Sequence, residues 1–149
     1  MTTHVLYRTS ATATGGRAGT AVTPDGNLKV SLTRPKELGG DGAAGTNPEQ
    51  LFAAGYAACF LSSMQFLATQ GGPKVPGDTT VKATVGIGPR AEGGFGLEVG
   101  LAIHLPGLAR ADAEALVEKA HQVCPYSNAT RNSLNVRLNI VEADEVAIR

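Results

Sequence analysis

The sequence predicts an α+β fold in one domain spanning residues 1–149. Three observations carry that prediction. The first third reads as short paired strands, and a long apolar helix with clear start and stop signals follows it. The second half then sets a hairpin before an amphipathic helix and a last strand after it. No repeat or linker divides the chain, and 149 residues suffice to bury a core without disulfides.

The strands come first. "HVLYRTSATA" and "RAGTAVT" are rich in β-branched residues, and "TGGRAG" turns between them, leaving Arg17 among small neighbours. "PDGN", residues 24–27, is a hairpin turn, because Pro presets φ and Gly accepts φ above zero. Leu28, Val30 and Leu32 then alternate as in a half-buried strand, and the Gly-rich "KELGGDGAAGT" forms a loop.

The long helix should start at Asn47, with Pro48 in its first turn and Gln50 completing a capping box, and stop at Gly71 and Gly72. From Leu51 onward it is apolar or small on every side, which predicts burial all round, shared between a sheet and a second copy of the chain. Its length raises the question of a membrane span, and Ser62, Ser63, Gln65 and the many Ala and Gly residues argue against one. "TTVKATVGIG" and "FGLEVGLAIHL" form the next hairpin. "ADAEALVEKAHQVC" gathers Ala113, Leu116, Val117, Ala120 and Cys124 on one helical face, and Pro125 places Cys124 at the helix end. "SNATRNS" suits a short helical turn and "LNVRLNIVEA" a closing strand.

Composition removes several function classes. Thirteen basic residues balance thirteen acidic ones with no basic run, which does not suit nucleic-acid binding. "MTTHVLYRTS" lacks a signal-peptide pattern, so the expected location is the cytoplasm. In a reducing compartment the two cysteines are not a structural framework. With neither C-x-x-C nor H-x-x-x-H, His121 and Cys124 supply only two close ligands, so no metal and no cofactor is expected.

Cys59, in the middle of the apolar helix, reads either as inert packing or as a nucleophile. The second reading needs a cation from outside the helix, because burial alone raises a thiol's pKa. Arg17 can supply it if it does not simply face solvent. Glu49 is explained equally well by the helix dipole or by a functional pairing. Cys124, 65 residues beyond Cys59, is either a redox partner or filler. His121 is an ordinary helix histidine or an assistant to a thiol.

Three segments together, "GGRAG", "NPEQLFAAGYAACF" and "AHQVCPYSNATR", resemble the organic hydroperoxide resistance (Ohr) proteins of the OsmC-like superfamily, over nearly the whole chain. The resemblance implies antiparallel sheets around a long buried central helix in an intertwined homodimer, with two active sites at the subunit interface. It implies a thiol peroxidase that reduces organic hydroperoxides to alcohols, with Cys59 peroxidatic, Cys124 resolving, and Arg17 and Glu49 organising the site. The implied reductant is a dithiol, such as dihydrolipoamide or a lipoylated protein.

The residues suit those roles. Arg17 would stabilise the thiolate and the departing alkoxide, Glu49 would hold Arg17 in a forked pair, and Cys124 would capture the Cys59 sulfenic acid. Phe52, Tyr56, Leu61, Met64 and Phe66 are the expected apolar walls for the substrate. Glu49 and Cys59 lie ten positions apart, about 15 Å along a helix, so each site is expected to mix residues from two subunits. Two other readings remain at this point: a cysteine hydrolase or acyltransferase using Cys59 and His121, and a non-enzymatic dimer that binds an apolar ligand.

Overall fold

The computed structural model describes residues 3–132, 134 and 136–143. The chain forms two compact units, Met1–Leu51 and Phe52–Arg149.

In the first unit, β1 (Thr12–Thr14), β2 (Thr20–Val22) and β3 (Lys29–Ser31) make an antiparallel sheet in chain order. The ladder is shorter than the sequence suggests. His4 to Ala11 are outside it, and Val5, Leu6 and Tyr7 are exposed, Leu6 by 91 %. A β-branched segment becomes strand only where a neighbouring backbone is present to bond it. The β2–β3 turn is as expected: Thr23 and Leu28 close it, and Gly26 takes φ 73°. The β1–β2 turn is a short 3-10 helix, Gly16–Ala18, entered through left-handed Gly15. The Gly-rich loop folds back on the sheet, where Thr46 bridges Leu32 and the Thr33 hydroxyl donates to the Ala43 carbonyl.

α1 runs from Pro48 to Thr69. Asn47 Oδ1 accepts the Gln50 N–H at 2.8 Å, so Asn47 caps the helix. The reciprocal half of the capping box is replaced: Gln50 Oε1 accepts from the Thr46 hydroxyl instead. At the other end the Gly72 N–H returns to the Leu67 carbonyl past Gly71 at φ 91°, a Schellman stop. By length and composition alone α1 could cross a bilayer. Burial all round is not what a single chain delivers: only Tyr56, Phe60, Ser63 and Met64, one helical face, are buried.

That face packs in the second unit with β4 (Thr80–Pro89), β5 (Phe95–His104), β6 (Val136–Ile140) and α2 (Arg110–Val123). β4 and β5 form the expected hairpin. β6 joins β5 in parallel, so this sheet is mixed rather than wholly antiparallel, because the chain returns through α2 and α3 (Pro125–Thr130) before pairing. The register aligns Val85, Val99 and Val136, then Ala83, Leu101 and Leu138, then Val81, Ile103 and Ile140. These three rows make the apolar face of the sheet, and each fully buried branched side chain adds about 1.5–3 kcal/mol. Ala113, Leu116, Val117 and Ala120 of α2 complete the core on the face their spacing predicts. Cys124 both ends α2 and caps α3, its extended ψ of 124° breaking the helix before Pro125. The short helix thus begins earlier than "SNATRNS" suggested, and Asn135 of the closing segment lies outside the described residues.

Candidate active site

Arg17 does not face solvent as turn arginines commonly do. Its two terminal nitrogens donate to the two Glu49 oxygens at 2.8 and 2.6 Å, with the side chains 26 % and 13 % exposed. The 3-10 turn carries Arg17 and the capped start of α1 carries Glu49, so two backbone elements of the first unit aim one fork. Glu49's hydrogen bonds raise Arg17 above its ordinary value against the effect of burial. The same bonds hold Glu49 below the usual carboxylate range, so both stay charged. The fork uses two of the five guanidinium N–H donors.

In the second unit the two free thiols meet. Cys124 Sγ lies 3.6 Å from Cys59 Sγ, within hydrogen-bond reach of it. Cys59 is half-buried at the start of the fourth turn of α1, and Cys124 is fully buried at the α2–α3 junction. Burial is the main cause that pushes the Cys59 thiol up. The backbone N–H of Tyr126 opposes it by donating to the sulfur, while the Cys124 thiol adds to the rise. Ser62 and Ser63, odd residues for an apolar helix, both turn their hydroxyls onto the Cys59 carbonyl at 2.9 Å.

A family comparison decides what this pairing belongs to. The family model described as OsmC-like protein matches residues 39–139, most of the chain. The chain belongs to the OsmC-like family. It is 55 % identical over 136 residues to the organic hydroperoxide resistance protein of Xanthomonas axonopodis pv. citri (strain 306), covering 91 % of this chain and 95 % of that one. Its fold is similar to the crystal structure of an organic hydroperoxide resistance protein from Legionella pneumophila. That likeness has a TM-score of 0.87 at 49 % identity and covers 93 % of this chain and all of the other. A second such structure, from Elizabethkingia anophelis, gives 0.87 at 48 % identity over 94 % of this chain and 99 % of that one. The α+β OsmC-like fold expected from the sequence is therefore the fold of this chain.

The expected wall residues separate in this OsmC-like chain. Phe52 and Phe66 stand seven residues before and after Cys59, on the same stripe of α1, and Phe66 is 54 % exposed. Leu61, two residues past Cys59, points about 160° away around the helix. Tyr56 and Met64 are fully buried core side chains, on the α1 face turned into the sheet. Sequence reading missed Tyr126. Its ring lies 6.0 Å from Phe52 and 5.6 Å from Tyr56, and its hydroxyl sits over Gly55, where an added Cβ would stand 2.6 Å away. The signal was available in "CPYS": a helix cap at Cys124 puts Tyr126 in the first turn, beside the thiols.

His121 is placed away from a base's role toward Cys59. Its Nδ1 lies 2.9 Å from Ser127 Oγ, and burial, reinforced by Arg131 and opposed by Glu118, lowers its pKa. Among the described residues no cluster of three metal-ligating side chains occurs.

Proposed function

We propose that this protein is a thiol-dependent peroxidase that reduces organic hydroperoxides, as the names of its relatives suggest. The observation that carries the proposal is the reduced thiol pair at 3.6 Å, one half-buried sulfur backed by one fully buried sulfur. The Cys59 thiolate attacks one peroxide oxygen, the O–O bond breaks, and the alkoxide leaves to become the alcohol. Cys59 is then a sulfenic acid; Cys124 attacks its sulfur, the S–O bond breaks, and water leaves with the Cys124 proton. A dithiol, a lipoyl group in our reading, reopens the disulfide by exchange.

The thiolate needs a cation, because burial and the Cys124 thiol push Cys59 the wrong way. The Arg17–Glu49 pair is that cation in our reading, held charged and in a fixed rotamer, with guanidinium donors left over for the sulfur and the alkoxide. Glu49 and Cys59 are about 15 Å apart along α1, so the pair serves Cys59 of a second copy in a homodimer. The exposed Val5–Tyr7 segment and the uncovered side of α1 are surfaces such a copy would bury. The hydrolase reading is weakened because His121 engages Ser127 through Nδ1 while Cys59 engages Cys124.

Stopped-flow measurement of cumene hydroperoxide against hydrogen peroxide tests the proposal. Wild type should consume the organic peroxide faster, Cys59→Ser should lose all turnover, and Cys124→Ser should consume one equivalent and stall. Undiminished turnover in Cys59→Ser would end this reading.

A further inference from the structure

Beside the thiol pair runs a row of polar groups, two fully buried and one half-buried, that the chemistry above does not use. Tyr56 Oη and Ser127 Oγ are 2.6 Å apart, and both side chains are closed to solvent. Ser127 Oγ also lies 2.9 Å from His121 Nδ1. The row therefore joins α1 to α3 and α3 to α2. Its placement relative to the sulfurs is specific. Tyr56 precedes Cys59 by three residues and Ser127 follows Cys124 by three, so each thiol sits one helical turn from an end of the Tyr56–Ser127 bond.

Tyr56 and Ser127, polar and fully buried, carry a desolvation cost that Phe and Ala in the same places would not, and His121 beside them is half-buried. Their hydrogen bonds offset that cost only if each proton finds its acceptor. Here each does when the imidazole is neutral with its proton on Nε2: the Tyr56 hydroxyl can then donate to Ser127 Oγ, and the Ser127 hydroxyl to His121 Nδ1. Burial and Arg131 favour that neutral form. Arg131 then locks the far end, donating to the His121 carbonyl at 2.6 Å and to Asn128 Oδ1 at 2.9 Å.

We propose that the Tyr56–Ser127–His121 row is a positioning strut that sets the spacing of Cys59 and Cys124 for disulfide formation. This rests on the peroxidase reading. In the resolving step the sulfurs must close from 3.6 Å by about 1.5 Å and meet the narrow torsion a disulfide demands. A strut one turn from each sulfur holds the two helices at the distance from which that closure needs only side-chain rotation. Its polar groups hydrogen-bond one another and not the sulfurs, so it acts on the second step and not the first.

The test separates the two steps. In a Cys124→Ser background, Ser127→Ala should leave the rate of Cys59 oxidation by cumene hydroperoxide unchanged. With both cysteines present, Ser127→Ala and Tyr56→Phe should each slow disulfide formation about tenfold, the scale of a slightly misplaced reacting atom. Dimedone should then trap accumulating sulfenic acid, and sulfinic acid should appear at lower peroxide. Ser127→Thr keeps the hydroxyl and should restore the wild-type rate. Tyr56→Phe keeps the core filled, so the result does not depend on how well Ser127→Ala folds. Disulfide formation at the wild-type rate in both variants would overturn the strut, as would equal slowing of both steps. If the wild-type protein itself formed no Cys59–Cys124 disulfide with peroxide, the peroxidase reading would fall, and the strut's role with it.

Discussion

Glu49 receives both terminal nitrogens of Arg17, at 2.8 and 2.6 Å, and so turns a flexible turn arginine into a fixed one. A planar fork matched to a carboxylate is a property of Arg that Lys lacks. If the pair serves the thiol, its geometry matters as much as its charge. Arg17→Lys and Glu49→Gln should each lower kcat/KM for cumene hydroperoxide by about 10²-fold, the scale of a lost oxyanion-type donor. Arg17→Lys retaining full activity would show that charge alone suffices.

The Cys59 thiol supplies a pH test with a definite sign. Burial, with Cys124, raises its pKa, so in Arg17→Ala alkylation by iodoacetamide should rise only above the ordinary thiol range. In wild type the reaction should already be fast at neutral pH. The same shift has a consequence for stability. A group that ionises later in the folded chain than in the unfolded chain contributes its stabilisation fully below the unfolded pKa and loses it as pH rises through the folded one. Arg17→Ala should therefore lose stability in urea melts on the alkaline side, above about pH 8.5, and not on the acid side. Identical alkylation profiles for wild type and Arg17→Ala would remove Arg17 from the account.

Gly55 is the notch that seats Tyr126. A Cβ there would meet the Tyr126 hydroxyl at 2.6 Å and the ring Cζ at 3.1 Å. Gly55→Ala should gain about 1 kcal/mol in helix propensity and lose about 1–3 kcal/mol to overpacking, leaving a small net destabilisation in thermal unfolding. Removing the clashing oxygen with Tyr126→Phe should make Gly55→Ala more favourable, a coupling readable in a double-mutant cycle. Additive effects would mean that the ring already swings clear.

Much of the local structure was legible in the chain. Asn47 and Pro48 announce the start of α1, Gly71 and Gly72 its end, and Ala113, Leu116, Val117 and Ala120 mark the buried face of α2. Each is a short-range signal in which the side chain meets backbone or neighbours within a turn or two. Two segments show the limit of such signals. His4 to Ala11 has strand composition but no strand partner among the described residues, and α1, apolar all round, is buried on one face within the chain, the share expected of one sheet. In both cases composition records what a segment can bury, while burial itself depends on what is brought alongside.

By itself the sequence determined the fold class, the helix limits, the position of Cys124 at a helix end, and the family, because caps, periodicity and contiguous motifs act over a few residues. Only the tertiary structure decided that Arg17 turns to Glu49 across 32 residues, that Cys59 meets Cys124 across 65, and that Tyr56 binds Ser127 across 71. Those contacts join side chains on separate elements, and their distances follow from strand register and helix packing, which no local pattern encodes.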